Sequence, residues 1–497
     1  MTAPSPPPAL AGGGRGEGAC NRTASPLTLL ILAATAIRLL LAASIGLGID
    51  ESYMVAAGRT FHLGYFDHPP ISWWLSAGAA HLAGSEAPVV VRLPFIALFA
   101  LSTWLMARLT ADHFGPRAGL WAAIAFTLAP VFGLTTGGWV LPDGPLVCAL
   151  LAAAMCLTRA LAGRGTAWWL ATGACAGLAL LSKYSAVLVF AGGFVAIATT
   201  PAWRPWLRRP HPYVAALVAL AVFSPVLLWN AQHGWASFAF QGGRAAAARF
   251  QPFGPLVVLA GEAAFLLPWI WLGLMLALVR ALRAGPGPGW LFAWLAVIPV
   301  VLFAVIALWS RNVLFHWAMP GYLFLFPPLG AWLATWRPAR NWAIGSAAML
   351  AVVLAVAVSE VRFNWLAAFR PGLDPGLQAI DLTALRPALA ERGLLAQPIA
   401  APTWNDAGKI GYALGPTTEI LSLNQDARQF GFTTAPAAQA GRDILIVAPR
   451  QDEARIRAAY AGNFDRIETL PPARLTIAGR GDILIPLYLG HTLRHWP

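Results

Sequence analysis

Charged residues are scarce in this chain, and lysine is almost absent. Only 11% of the 497 residues are charged, and the two lysines are Lys183 and Lys409. The hydrophobic share of 58% and the mean hydropathy of +0.62 are far above those of a soluble domain. Several stretches must therefore face lipid. The net charge of +13 does not indicate nucleic-acid binding, because the basic residues are scattered in pairs between apolar runs.

The sequence also lacks the common motifs of soluble nucleotide and metal chemistry. It contains no Walker loop, no GxGxxG between a strand and a helix, no HExxH and no paired CxxC. The four cysteines lie in the N-terminal tail and in apolar runs, so we expect no disulfide to brace the fold. An active site on the outer face of a membrane has no supply of ATP or nucleotide sugars. Such a site would need a substrate carried by a lipid.

Apolar runs of about 20 residues, the length of one membrane crossing, divide the chain into three parts. Residues 1–26 are rich in Pro and Gly and are predicted to be a disordered cytoplasmic N-terminus. Residues 27–359 are predicted to form a polytopic α-helical membrane domain with about eleven helices. The predicted helices span residues 27–48, 88–109, 117–137, 144–162, 167–183, 185–200, 212–229, 256–280, 290–309, 317–335 and 341–359.

Residues 360–497 have a mixed, soluble composition and are predicted to form a small α/β domain. Its predicted strands lie at residues 398–402 and 443–447, and its predicted helices at 406–414 and 452–460. Arginines fall in alternate short loops of the membrane domain, which the positive-inside rule assigns to the cytoplasm. This predicts a cytoplasmic N-terminus, with the acidic loops and the C-terminal domain on the outer face.

The first outer loop brings several ionisable residues together. Asp50 and Glu51 directly follow the first apolar run, where partial burial can raise the pKa of a carboxyl group towards that of a general base. The alternative is that both are ordinary solvated residues. Tyr53 begins a stretch with helical spacing, which predicts a short amphipathic helix in the membrane interface.

The same loop ends in Tyr65, Phe66, Asp67 and His68, followed by two prolines that fix the chain. A fixed Asp-His pair suits contact with a metal ion or a phosphate, with a simple turn as the alternative. Asp67 is therefore the candidate ligand for a divalent metal ion.

Two further charges lie at predicted helix ends on the same face. Asp143 is a natural helix N-cap, but a third carboxylate near Asp50 and Asp67 also favours a functional role. Lys183 lies at the end of an apolar run, where a lysine needs an anionic partner or extends its amine to the interface. The partner could be a lipid phosphate or one of these carboxylates.

The later outer loops add aromatic and basic residues. Residues 230–255 include Arg244 and Arg249 and could close over a phosphate and a sugar as a mobile lid, or be a disordered connector. His316 lies at the outer end of the last helix pair, within a stretch that is otherwise typical of an interfacial aromatic belt.

Five segments together resemble the bacterial membrane glycosyltransferases of family 39, the dolichyl-phosphate-mannose protein mannosyltransferase type. This family has the GT-C fold and is related to the aminoarabinose transferases of lipid A. The matching segments are DESY at residues 50–53, GYFDHPP at 64–70, LPDGPL at 141–146, LSKY at 181–184 and FHWAMPGYLFLFPPLG at 315–330. They occur in order over residues 27–335 and on one predicted face.

The resemblance implies a glycosyltransferase of the bacterial inner membrane that takes its sugar from a polyprenyl phosphate at the periplasmic face, with inversion. It implies that Asp50, with Glu51, acts as the base on the acceptor hydroxyl. Lys183 matches the lysine near the donor phosphate, and His68 stands where the lipid A transferases tend to have lysine. His68, Arg244 and Arg249 would join Lys183 at that phosphate. Tyr53, Tyr65, Asp143 and His316 would contact substrate.

The acceptor is a periplasmic lipid, glycan or protein, and the sequence does not choose among them. Trp404, Asn405, Asp406 and Gln429 of the C-terminal domain could contact an acceptor glycan, or the domain could be a structural cap. The alternative function is a transporter or flippase for lipid-linked sugars. A transporter would be expected to place polar groups near the middle of the bilayer, with broken helices and internal repeats.

Overall fold

Apolar helices form most of the chain, and most follow the predicted runs, but the runs at residues 117–137 and 317–335 are each divided into shorter elements. The computed structural model describes residues 25–244, 249–369, 375–477 and 479–497, so the predicted disorder of the N-terminus lies almost entirely outside the described residues. The helices of the membrane domain are α1 (Pro26–Ser44), α2 (Ile49–Ala57), α3 (Ile71–Ala83), α4 (Pro88–Phe114), α5 (Pro116–Leu128), α6 (Asp143–Leu161), α7 (Thr166–Ser182), α8 (Ala186–Thr199), α9 (His211–Gln232), α10 (Ala236–Arg244), α11 (Gly254–Leu266), α12 (Pro268–Ala284), α13 (Trp290–Ile306), α14 (Met319–Tyr322), α15 (Phe326–Leu333) and α16 (Ala339–Phe363).

Several of these helices can cross a membrane. In the described ranges, α1, α4, α6, α9 and α16 are each long and apolar enough to do so alone, and α11 with α12 forms a sixth, bent candidate. Helices α7, α8 and α13 are shorter but apolar. The multi-pass membrane class is confirmed. The number of eleven crossings stays a prediction.

The single helix predicted at residues 256–280 is wrong, because the chain breaks there. Helices α11 and α12 meet at an angle of 112°. Leu267 lies between them with φ of 67°, a left-handed conformation that is rare outside glycine. Pro268 follows it, and proline disfavours the helical conformation in the residue that precedes it. The bend is therefore encoded by this Leu-Pro pair.

The C-terminal domain combines short helices with one mixed sheet. Its helices are α17 (Leu366–Phe369), α18 (Leu385–Ala390), α19 (Trp404–Leu414), α20 (Phe430–Thr433) and α21 (Glu453–Tyr460). Its strands are β1 (Ile399–Ala401), β2 (Ile420–Ser422), β3 (Ile444–Val447), β4 (Phe464–Ile477) and β5 (Gly481–Leu493).

The sheet has the strand order β2-β1-β3-β5-β4. β1 pairs in parallel with β2 and β3, whereas β5 pairs antiparallel with β3 and β4. The predicted α/β class is confirmed, including the strands that we expected at residues 398–402 and 443–447. The long β4–β5 hairpin was not predicted.

Helix α2 joins the two parts of the molecule. It begins at Ile49, and residues from Tyr53 to Ala57 are buried. They share one hydrophobic core with Ile399, Ile410 and Leu445 of the C-terminal domain. The predicted short helix is confirmed, but its apolar face packs against α19 of the C-terminal domain and not against lipid.

A glycine allows α19 to approach α2 closely. A Cβ atom at Gly408 would lie 2.6 Å from the Cα atom of Tyr53 and 2.9 Å from its backbone nitrogen. We expect Gly408→Ala to lower the free energy of unfolding by about 1–3 kcal/mol, since the backbones must separate to admit the methyl group. The thermal unfolding midpoint of the purified protein in detergent measures this. Gly462→Ala is the matched control, because its Cβ atom would meet no atom within 4 Å. Equal midpoints for the two variants would contradict close packing at Gly408.

Candidate active site

A cavity of about 590 Å³ lies where the segment between α1 and α4, the ends of several membrane helices and the C-terminal domain meet. Its polar side chains come from distant parts of the sequence. They are Asp50, Tyr53, Asp67, His68, Thr135, Asp143, Lys183, Tyr184, Ser185, Gln241, His316 and Arg428. Seven of the residues predicted from the sequence are among them, namely Asp50, Tyr53, Asp67, His68, Asp143, Lys183 and His316.

Asp50 lines this cavity from the first turn of α2 and is exposed. The unpaired backbone N–H groups of a helix N-terminus favour a carboxylate there. Asp50 also acts electrostatically on Asp67, so the two acids face the same space. A carboxylate that is both exposed and close to another acid can accept a proton from a bound hydroxyl.

Asp67 also lines the cavity and is only 3% exposed. The hydroxyl of Tyr53 donates to its Oδ1 atom at 3.2 Å, and Nη1 of Arg428 donates to Oδ2 at 3.3 Å. Gln241 donates to its backbone oxygen. Burial raises the pKa of the Asp67 carboxyl to about 6, and the guanidinium of Arg428 opposes this rise. The ionised form of Asp67 therefore depends on its cationic partner.

Asp143 and Lys183 form the second polar centre. Nζ of Lys183 donates to Oδ1 of Asp143 at 2.8 Å, and both side chains are about nine-tenths buried. Asp143 begins α6, and Lys183 directly follows α7. The amine of Lys183 therefore reaches the cavity from a helix end that packs beside α6. His68 and His316 also act electrostatically on Asp143, so this end of the cavity is rich in potential cations.

The rest of the cavity wall is apolar. It is formed by side chains of α8, α11, α13 and the segments next to them, including Val187, Leu188, Phe265, Phe303 and Ile306. The cavity thus joins a polar centre to a hydrocarbon surface on helices of the membrane domain. An amphiphile with a charged head and an apolar chain fits such a surface.

Glu51 does not face the cavity, and the catalytic role predicted for it is corrected. It is 2% exposed, and both of its oxygens accept hydrogen bonds from Arg92, at 2.8 and 2.6 Å. They also accept from the backbone nitrogens of Gly48 and Val140. Arg92 in turn donates to the carbonyls at the end of α1. The pair therefore ties α1, α2 and α4 to the segment before α6.

We expect Glu51→Ala to lower the free energy of unfolding by about 3–5 kcal/mol, because it leaves the Arg92 guanidinium buried without its counter-ion. The change should appear as a lower unfolding midpoint in detergent and a lower yield of folded protein. Arg92→Leu should cost a similar amount. The double variant Glu51→Leu/Arg92→Leu should cost less than the sum of the two single changes, since neither charge is then stranded. Additive losses would show that the two side chains do not act as a pair.

Of three other predicted site residues, two do not line the cavity, and the side chain of the third lies outside the described residues. Tyr65 is 1% exposed, stacks on Trp73 with 4.2 Å between ring centroids and donates to the carbonyl of Thr60, so it supports the loop instead of lining the cavity. Arg249 is exposed, and its backbone pairs with Trp309 on the protein surface outside the cavity. Arg244 ends α10, but its side chain lies outside the described residues.

The residues around Asp67 do not fit a divalent metal ion. In the part of the chain that the structure describes, no three side chains of His, Cys, Asp or Glu come close enough together to hold one. The Asp67 carboxylate already contacts the guanidinium of Arg428, a cation that would repel a metal ion bound beside it. We therefore derive no chemical step through a metal at this position.

Among the polar residues of the cavity, sequence reasoning did not single out Thr135, Tyr184, Ser185, Gln241 or Arg428. Arg428 is separated from Asp67 by 361 positions in the sequence and lies in a loop of the C-terminal domain. The stretch around it, SLNQDARQFGF, stood out in the sequence, but nothing in its pattern singled out the arginine. Trp404, one of the predicted acceptor contacts, also lines the cavity, whereas Asp406 is paired with Arg450 elsewhere.

Known proteins are similar to this chain in sequence and in fold. Residues 67–229 match the family described as dolichyl-phosphate-mannose-protein mannosyltransferase. The chain is 26% identical over 316 residues to the lipid A galacturonosyltransferase RgtD of Rhizobium johnstonii. That match covers 60% of this chain and 62% of the relative, so the chain spans less than two thirds of that protein.

Solved structures show the same fold. The structure of ArnT from Cupriavidus metallidurans in the apo state has a TM-score of 0.63 at 16% identity, over 93% of this chain and 97% of that one. The structure of the same protein bound to undecaprenyl phosphate has a TM-score of 0.64 at 17% identity, with the same coverage. At this level of identity the similarity shows the fold alone. The predicted resemblance is thus confirmed: this chain is a multi-pass membrane protein of the GT-C fold, similar to glycosyltransferase family 39 and to a lipid A galacturonosyltransferase.

Proposed function

We propose that this protein is a glycosyltransferase that moves a sugar from a polyprenyl phosphate to an acceptor at the periplasmic face of the bacterial inner membrane. The observation that carries the proposal is the two-sided cavity. Its polar centre holds Asp50, Asp143 and Lys183, and its other wall is a hydrocarbon surface on the helices of the membrane domain. A lipid-linked sugar needs both, because its phosphate and sugar are polar and its chain is not.

In the proposed reaction one proton moves from the acceptor to the protein, and the polyprenyl phosphate is the leaving group. Asp50 accepts the proton of the acceptor hydroxyl while that oxygen attacks the anomeric carbon of the sugar. The bond from this carbon to the phosphate oxygen breaks, its electron pair stays on the phosphate, and the configuration inverts. Lys183 stabilises the negative charge that develops on the departing polyprenyl phosphate. His68 and His316 line the same cavity and are placed to assist at the phosphate or the sugar.

The relatives suggest where to begin with substrates. RgtD is a lipid A galacturonosyltransferase by name, and ArnT has been solved with undecaprenyl phosphate. The first donor to test is therefore an undecaprenyl phosphate that carries galacturonic acid or another sugar, and the first acceptor is lipid A. Protein and glycan acceptors are the further candidates.

A transporter of lipid-linked sugars is the second candidate function. The observation in its favour is the broken helix pair α11–α12, bent by 112°, because broken helices are common at transporter binding sites. Against it, Asp50 and Asp143 lie at the ends of helices that lead into the cavity and not in helix interiors.

One assay separates the two functions. The purified protein is placed in vesicles with radiolabelled undecaprenyl-phosphate sugars, with and without lipid A, and both transfer and movement of the donor across the bilayer are measured. Transfer of label to an acceptor, with donor consumed only when acceptor is present, is the expected result. Donor movement without bond cleavage, for every sugar and acceptor tried, would contradict the proposal and favour the transporter.

A further inference from the structure

A loop of the C-terminal domain forms part of the cavity wall. The segment Arg428–Gln429, just before α20, contacts the first outer loop at several points. The backbone nitrogen of Gln429 donates to the hydroxyl of Tyr53 at 3.0 Å, and its side-chain oxygen accepts from the nitrogen of Phe66 at 2.9 Å. Gln429 is fully buried in this contact. Because Tyr53 also donates to Asp67, one hydrogen-bond chain runs from the C-terminal domain to the cavity carboxylate.

Arg428 is held in a fixed position within this segment. Its φ of 52° is left-handed, a conformation that non-glycine residues keep only where their surroundings hold it. The guanidinium carbon lies 4.6 Å from the ring centroid of Phe240 and 4.4 Å from that of Trp404. Its Nε atom donates to Asp426, and its Nη1 atom donates to Asp67. Contacts on the two rings and ion pairs at two of its nitrogens leave the guanidinium little rotational freedom.

The surroundings of Asp67 call for a positive charge, which Arg428 supplies. Asp67 is 3% exposed and lies within electrostatic range of Asp50, so water screens its charge poorly and a second acid repels it. A buried carboxylate in this position stays ionised only beside a cation. Without one it binds a proton, or its side chain rotates out of the cavity. Arg428 is the cation that the described structure places against it.

We propose that Arg428 is a positioning residue of the transfer reaction, which keeps Asp67 charged and aimed into the cavity where the sequence led us to expect a divalent metal ion. The C-terminal domain thereby completes the active site. This inference rests on the proposed function. In this inference a side chain of the protein, and not a metal ion, supplies the positive charge beside Asp67. Sugar transfer then requires the C-terminal domain to be docked on the membrane domain.

The test compares five full-length variants in detergent: Arg428→Gln, Arg428→Lys, Asp67→Asn, the double variant Asp67→Asn/Arg428→Gln, and Arg457→Gln. Arg457 is the matched control, because it is an arginine of the same domain in an exposed pair with Glu453. Each protein is assayed for binding of undecaprenyl phosphate, for the rate and donor KM of sugar transfer, for the effect of a chelator, and for the unfolding midpoint.

We expect Arg428→Gln to lower kcat by about ten- to a hundredfold, the range for a misplaced active-site group, with donor binding and donor KM changed less than about threefold. Arg428→Lys should recover part of this loss, because it restores a positive charge. The double variant should be no slower than Asp67→Asn, since both changes disable the same pair. Arg457→Gln should match the wild type, and a chelator should leave the wild-type rate unchanged.

Three results would overturn the inference while the wild type still transfers sugar. The first is a normal kcat for Arg428→Gln, and the second is strict additivity in the double variant. The third is loss of wild-type transfer on chelation with recovery on adding Mg²⁺ or Zn²⁺, which would place a metal ion beside Asp67 instead. Absence of transfer by the wild type with every donor and acceptor is a different outcome, because it would reject the proposed function itself.

Discussion

Asp50→Asn is expected to slow single-turnover transfer by at least about a hundredfold, because a general base typically contributes 10²–10⁴ to the rate. Asparagine keeps the size of the side chain but cannot take the acceptor proton at neutral pH. Asp50 is exposed in the first turn of α2, so this change should leave the fold intact. Binding of undecaprenyl phosphate should therefore stay within about threefold of the wild type, since the base acts on the acceptor and not on the donor phosphate.

The control for this experiment is Asp482→Asn, an equivalent change on the exposed β4–β5 hairpin. It should transfer at the wild-type rate. If Asp50→Asn also transfers at that rate, Asp50 is not the base. If Asp50→Asn loses donor binding to the same extent as transfer, Asp50 acts on the donor.

Lys183→Met should have an effect of similar size, for a different reason. The amine is the cation proposed to stabilise the leaving phosphate, and removing one such group from a preorganised site costs about 10²–10³ in kcat. Unlike Asp50→Asn, this change should also weaken binding of undecaprenyl phosphate, because the phosphate is present before the reaction as well as after it. The measurements are the transfer rate at saturating donor and the affinity for undecaprenyl phosphate.

A second variant separates the role of Lys183 in the reaction from its role in the fold. Lys183→Met strands the carboxylate of Asp143, which is 7% exposed, so the single change should also lower the unfolding midpoint. In Lys183→Met/Asp143→Asn that buried charge is gone. The double variant should recover stability but not transfer. Recovery of transfer along with stability would show that Lys183 acts only as a structural counter-ion.

The parts of the site that could be predicted from the sequence are those carried by local patterns. Asp50, Asp143 and Lys183 each lie at the end of an apolar run, and the alternation of arginine-rich loops assigned all three to one face. The bend at Leu267 also had a local signal, since Pro268 disfavours a helical conformation in the residue before it. We predicted a single helix there because the apolar run continues across the proline.

The parts that could not be predicted depend on contacts between distant segments. Nothing near Glu51 in the sequence shows that Arg92 takes up both of its oxygens, so two adjacent acids appeared equivalent although one is exposed and the other is buried. Arg428 reaches the cavity because α19 packs on α2 and because the backbone at Arg428 is left-handed. Neither fact has a signature in the composition or periodicity of that stretch.

The distance in sequence between Asp67 and Arg428 also sets the order in which the site can form during synthesis. The two residues are 361 positions apart, which a ribosome covers in roughly 20–70 seconds at about 5–20 residues per second. During that interval the membrane helices can already pack around the apolar wall, while Asp67 still lacks its cation. Under the proposed function and the proposed role of Arg428, a nascent chain would hold a lipid-linked sugar before it could use one efficiently. Full activity would then appear only after the C-terminal domain had been translated and docked.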